Sequence, residues 1–163
     1  MQKSPQQVSD GFSKKYSTYG EMLFRICMVY LGNKADAEEA IQEAFLKLMY
    51  SSPQFVSDEH EKAWLIRVTT NICKDMLRSV WHKRVIKMED IENYYDNPSD
   101  MHIMEEILKL PVKYKAVIYL YYFEDYAIKK ISELLKITES AVKMRLKRGR
   151  DILKIELEGE HYE

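Results

Sequence analysis

Apolar residues recur at spacings of three and four along most of the chain, the period of helices that each bury one face. Over Val8–Leu31 the stripe is Phe12, Tyr16, Tyr19, Leu23, Ile26, Cys27, Tyr30 and Leu31. Gly32-Asn33 then supplies a stop of the left-handed-cap type. A second helix is expected over Ala35–Tyr50, with Ala37, Ala40, Ile41, Ala44, Phe45 and Leu48 inward. Asp36, Glu38 and Glu39 fall in its first turn and suit the positive end of the helix dipole. Ser51-Ser52-Pro53 ends it, and Glu61–Arg78 reads as a third helix with Trp64, Leu65, Val68, Ile72 and Leu77 inward.

The pattern fades over Arg84–Asp100, which is acidic and carries Asn97-Pro98-Ser99. This stretch reads as a flexible linker between two helical domains. Beyond it a short helix over Met101–Leu110 is followed by Val112–Phe123, with Pro111 placed for the first helical position. Two more helices, Ala127–Leu135 and Glu139–Leu153, are joined by the turn Lys136-Ile137-Thr138. Thr138 is a natural N-cap for the second. The expected fold is therefore all-α, with small domains at 8–83 and 101–158 and a linker at 84–100.

Composition adds exclusions. The chain has 163 residues with 5 glycines and 4 prolines, too few for an all-β chain built on tight turns. No two glycines lie close together, so no Gly-rich phosphate loop is present. Cys27 and Cys73 sit in helical patterns and read as small buried hydrophobes. His60, His82, His102 and His161 have no ligand spacing, so neither a metal nor another cofactor is expected. The N-terminal stretch has no apolar core of a signal peptide, and the apolar run Val117–Phe123 is far too short to cross a bilayer. A cytoplasmic chain with no membrane span is expected.

The formal net charge of −1 conceals a strong division along the chain. Residues 62–87 carry 7 basic and 1 acidic side chains, residues 88–110 carry 1 and 7, and Lys136–Arg150 carries 6 and 1. Basic stretches on helices are candidate polyanion surfaces, although a solvated helix face has the same composition. The last helix sharpens the choice. With Ala141, Val142, Leu146 and Leu153 inward and Gly149 allowing close approach, Ser140, Lys143, Met144, Lys147, Arg148 and Asp151 fall mostly on the opposite face. A helix fits the major groove, where Arg and Lys reach guanine edges or phosphates. An ordinary helical hairpin shares the core pattern. The cap, the turn length and the basic outward face together favour a DNA-binding helix-turn-helix.

The residues from Leu110-Pro111 through Phe123, Tyr126–Leu135 and Ile137–Arg150 resemble region 4 of bacterial sigma factors. The resemblance is to the extracytoplasmic-function group of the sigma-70 family. It implies that the last helix reads the minus-thirty-five promoter element, with Ser140, Lys143, Met144, Lys147 and Arg148 towards the groove and Arg145 and Arg150 on phosphates. Met144 stands where the family usually has a small hydroxyl residue, Lys136 where the turn often has Gly, and Lys129-Lys130 where acidic residues are common.

The first half resembles region 2 of the same family. Asp36–Leu48 is similar to region 2.2, and the resemblance implies that Asp36, Glu39, Gln42 and Glu43 bind the beta-prime clamp helices of core RNA polymerase. By charge alone this strip is an ordinary solvated face. Glu61–Arg78 is similar to regions 2.3 and 2.4, which melt the minus-ten element and read it as single strand. Asn71 would then read a base edge while Lys62, Arg67, Lys74 and Arg78 follow phosphates. Trp64 is either a core tryptophan or a stacking platform. Phe55, in the loop Ser52–His60, is a candidate for the flipped base.

The resemblance implies a sigma factor that performs no chemistry itself, binds core polymerase and promoter DNA, and is commonly held inactive by an anti-sigma factor, often membrane-bound. Two rivals share parts of the pattern. One is a helix-turn-helix regulator that does not recruit polymerase, for which the basic stretch Lys62–Lys87 has no task. The other is a sigma-like interaction protein that binds an anti-sigma factor but no promoter.

Overall fold

A computed structural model describes residues 4–79, 87, 89, 90 and 98–160, and among them every regular element is a helix. In chain order these are α1 (Pro5–Leu31), α2 (Lys34–Ser51), α3 (Asp58–Arg78), α4 (Pro98–Leu108), α5 (Val112–Tyr122), α6 (Ile128–Leu135) and α7 (Glu139–Glu160). The chain divides into two compact units, residues 1–84 and 85–163. Most of the linker expected at 84–100 lies outside the described residues. Its last part, Pro98–Asp100, belongs to α4.

In the first unit α1, α2 and α3 each pack on the other two. Gly32, at φ 77°, turns the chain out of α1, and its N–H donates to Met28 O at 2.8 Å. Asn33 caps α2: its Oδ1 accepts from the Asp36 N–H at 2.9 Å, and its Nδ2 donates to Asp36 Oδ2 at 2.8 Å. The expected stripe of α2 is buried in full. On α1, Tyr16 is exposed, its ring lying across Phe45 with centroids 5.2 Å apart.

The third helix departs further from expectation. It starts at Asp58, three residues early, because Ser57 Oγ accepts from the His60 N–H at 3.1 Å and caps it there. Its buried side chains are Glu61, Leu65, Ile66, Thr69, Thr70, Ile72 and Cys73, whereas Trp64, Val68 and Leu77 are only half-buried. Part of the buried arc of α3 is polar, Glu61, Thr69 and Thr70, which an apolar period does not register.

In the second unit α5 is central, packing on α4, α6 and α7. Its residues Tyr114–Leu120 are all buried, Lys115 included. Pro111 is the N-cap of α5 rather than its first helical residue. Lys136, at φ 54° and ψ 47°, makes the left-handed turn after α6. Thr138 Oγ1 then accepts from the Ala141 N–H at 3.0 Å, the cap expected of it. Ser132 braces the turn by donating to Ile137 O at 2.6 Å. The last helix runs seven residues beyond its expected end at Leu153.

Candidate functional site

On α7, Val142, Leu146 and Gly149 are buried, and Ser140, Lys143, Met144, Lys147, Arg148 and Arg150 are exposed. Ser140, Lys143, Met144, Lys147 and Asp151, spaced by three and four, form one outward stripe. At 3.6 residues per turn, Arg148 and Arg150 stand roughly 80° to either side of its centre. Both are tied to α5. Arg150 Nη1 donates to Tyr122 Oη at 3.0 Å. The neighbouring Arg148 guanidinium holds the Tyr114 phenol below its ordinary pKa, with Lys113 lowering it further. Arg145 is half-buried and turned roughly 140° from the stripe's centre, so it does not share the stripe.

On α3, Arg67, Asn71, Lys74 and Arg78 share the side opposite the core, with Trp64 at its margin. Asn71 and Arg78 are exposed, and Arg67 and Lys74 are half-buried. Arg78 Nη2 pairs with Asp75 Oδ1 at 3.0 Å, a solvated pair of small energetic weight. Lys62 does not join this face. It is half-buried and lies roughly 140° round the axis from Arg67. Phe55 is wedged edge-on between His60 and Trp64, with centroids 5.2 Å and 5.6 Å away. His60 Nδ1 accepts from the Val56 N–H at 3.2 Å, so His60, expected in the loop, is a helical residue that fastens it.

On α2, Glu39, Gln42 and Glu43 are exposed on the side away from the core. Glu43 Oε1 lies 3.7 Å from Lys47 Nζ. Asp36 sits apart from them, half-buried, with its carboxylate turned to the Asn33 cap. The same face carries two apolar side chains that the charge pattern did not reveal, Leu46 at 53% and Tyr50 at 77% exposure. Large exposed apolar groups beside carboxylates mark a surface for a protein partner rather than for nucleic acid. Their signal in the sequence was position: each continues the outward series begun by Glu39 and Gln42.

Among the described residues no three His, Cys, Asp or Glu side chains converge as metal ligands, and no helix is long and apolar enough to cross a membrane.

Sigma-70 region 2 matches residues 16–83, and sigma-70 region 4 matches residues 101–153. The chain is 30% identical over 138 residues to RNA polymerase sigma factor SigV of Bacillus subtilis, covering 82% of this chain and 83% of SigV. It is 29% identical over 167 residues to ECF RNA polymerase sigma factor SigW of the same species, covering 91% and 89%. The solved sigma factor RpoE from Bartonella quintana, in complex with the anti-sigma factor NepR, superposes with a TM-score of 0.70 at 16% identity. That likeness covers 91% of this chain and 97% of RpoE, and it shows a shared fold. The chain belongs to the sigma-70 family of RNA polymerase sigma factors, in its extracytoplasmic-function group.

Proposed function

We propose that this sigma factor selects promoters with two cationic helix faces, one in each unit, and binds core RNA polymerase through α2. It is an initiation factor rather than an enzyme. The observation that carries the reading is the pair of outward faces, Arg67–Asn71–Lys74–Arg78 on α3 and Ser140–Lys143–Met144–Lys147 on α7, both turned from their cores. The α3 face suits melted strand: cations follow the phosphates, Asn71 offers hydrogen bonds to a base edge, and Phe55 and Trp64 offer aromatic surface. The α7 stripe suits the major groove of the minus-thirty-five element. Lys62 and Arg145, which turn off these faces, would act at their margins on phosphates.

Glu39, Gln42 and Glu43, with Leu46 and Tyr50 beside them, form the surface for the beta-prime clamp helices. Asp36 contributes by capping α2. The chain works in the cytoplasm, where polymerase and chromosome are, and an anti-sigma factor restrains it, as NepR is bound to RpoE. A helix-turn-helix regulator that recruits no polymerase leaves the α2 surface and the α3 face without a task.

The test is a titration of purified core polymerase with the chain. Replacing Glu39 and Glu43 together by Lys is expected to weaken binding at least tenfold, because reversed charge at a complementary interface costs several kcal/mol. The helical circular dichroism should be unchanged. Affinity equal to that of the unmodified chain would overturn the assignment of α2.

A further inference from the structure

Gly149 faces α5 so closely that a Cβ there would stand 2.3 Å from Ile118 Cδ1 and 3.5 Å from Tyr114 Cβ. The residues on either side of it in sequence are Arg148 and Arg150, both exposed. Helical geometry therefore sends one arginine to each side of the α5–α7 contact. Each meets a tyrosine hydroxyl near opposite ends of α5. Tyr122 accepts from Arg150 Nη1 at 3.0 Å, and Arg148 is the neighbouring cation that lowers the pKa of the Tyr114 phenol. The Tyr114 ring is itself buried, and Lys113 Nζ lies 5.0 Å from its centroid.

A guanidinium has five N–H donors, so one bond to a phenol leaves most of them for another acceptor. A long cationic side chain that is free in solution must be ordered when it grips a phosphate, and that ordering weakens binding. Fixing its rotamer beforehand removes the penalty. The tyrosine hydroxyls are partnered with the two arginines that border the outward stripe, Arg150 by a hydrogen bond and Arg148 as a neighbouring charge.

We infer that Tyr114 and Tyr122 are positioning residues that hold Arg148 and Arg150 as a preset pair of phosphate clamps along the two edges of the groove-facing stripe. This rests on the reading of α7 as the groove helix. A phosphate clamp carries no sequence information, so the tyrosines should act on affinity for any duplex and leave discrimination between duplexes unchanged.

The experiment uses the full chain assembled with core polymerase. Its probes are a labelled promoter duplex recovered by run-off transcription and a scrambled duplex, measured by fluorescence anisotropy at several salt concentrations. Tyr114→Phe and Tyr122→Phe retain the rings and remove only the hydroxyls. Each is expected to weaken binding to both duplexes about three- to tenfold, the effect of one hydrogen bond. In the Arg148→Ala background Tyr114→Phe should add nothing, and in the Arg150→Ala background Tyr122→Phe should add nothing, because the coupling runs through the arginine. A purely structural tyrosine would keep its effect in those backgrounds, which would overturn the inference, as would unchanged or tighter binding by the tyrosine variants. If the arginine variants weaken binding and the tyrosine variants do not, the positioning role falls and the groove reading stands. If the arginine variants bind as the unmodified chain does, both fall.

Discussion

Glu61 is a charged residue in the core of the first unit, and its environment explains why it can be there. Lys15 Nζ donates to Glu61 Oε2, Tyr19 Oη donates to Glu61 Oε1 at 3.0 Å, and the carboxylate lies in the first turn of α3, where the dipole favours negative charge. The arrangement ties α1 to the start of the helix that carries Asn71. Burial, and then the hydrogen bond to Glu61, push the Tyr19 phenol up to about 12 from its ordinary 10.0. The folded state therefore keeps this proton more tightly than the unfolded chain does. The stability it contributes is complete below about pH 10 and is lost as pH rises through about 12. Ultraviolet titration should show one tyrosine ionising near that upper value, and Tyr19→Phe should remove both that step and its share of the alkaline loss of stability. A Tyr19 that titrates with the exposed tyrosines would contradict the buried bond. Cys27 and Cys73 are small buried groups, as their helical positions predict, and the neighbouring Cys73 thiol, together with burial, holds the Cys27 thiol well above its ordinary pKa.

At the scale of elements, the helix-turn-helix contains one backbone position that its residue fits poorly. Lys136 adopts a left-handed conformation at φ 54°, which an L side chain tolerates at a cost and glycine adopts freely. Lys136→Gly should stabilise the chain by roughly 0.5–1 kcal/mol, after allowing for glycine's greater freedom when unfolded. Thermal unfolding checks this, and a lowered midpoint would contradict it. Gly149 is the opposite case. Alanine there gains about 1 kcal/mol of helix propensity, but its methyl would overlap the buried Ile118, and such overpacking costs roughly 1–3 kcal/mol. Gly149→Ala should therefore lower stability in urea unfolding, and adding Ile118→Val, which shortens the obstructing side chain, should recover part of the loss. Additive losses in the double variant would contradict the steric account.

How far each element could be read from sequence depended on how cleanly its buried and exposed positions divide into apolar and polar residues. The stripe of α2 was legible because every buried residue on it is apolar. That of α3 was not, since Thr69, Thr70 and Glu61 are buried polar residues while Trp64 and Val68 sit at the margin. The central helix α5 has no polar face to give a period. The start of α3 precedes the apolar period because a polar residue, the Ser57 cap, sets it. The candidate site divided in the same way. Outward positions on α7 follow from helical spacing alone, whereas the tyrosine partners of Arg148 and Arg150 come from α5 and depend on how two helices approach one another. No spacing within α7 encodes that.

Across the whole molecule the near-zero net charge is a balance of segments with different tasks. Cationic faces on α3 and α7 are matched by carboxylates that gather on α2 and in residues 88–110. A chain with uniform positive charge would bind any DNA and gain little selectivity. Under the proposed function, the cationic faces of α3 and α7 meet promoter DNA and the carboxylates of α2 meet polymerase. Run-off transcription tests that account most directly, with purified core polymerase, genomic fragments, and either the unmodified chain or Asn71→Ala. Discrete transcripts are expected only when the unmodified chain is present, and they should be lost with Asn71→Ala even though that variant still binds core. The same transcripts from core polymerase alone, or undiminished transcripts with Asn71→Ala, would contradict it.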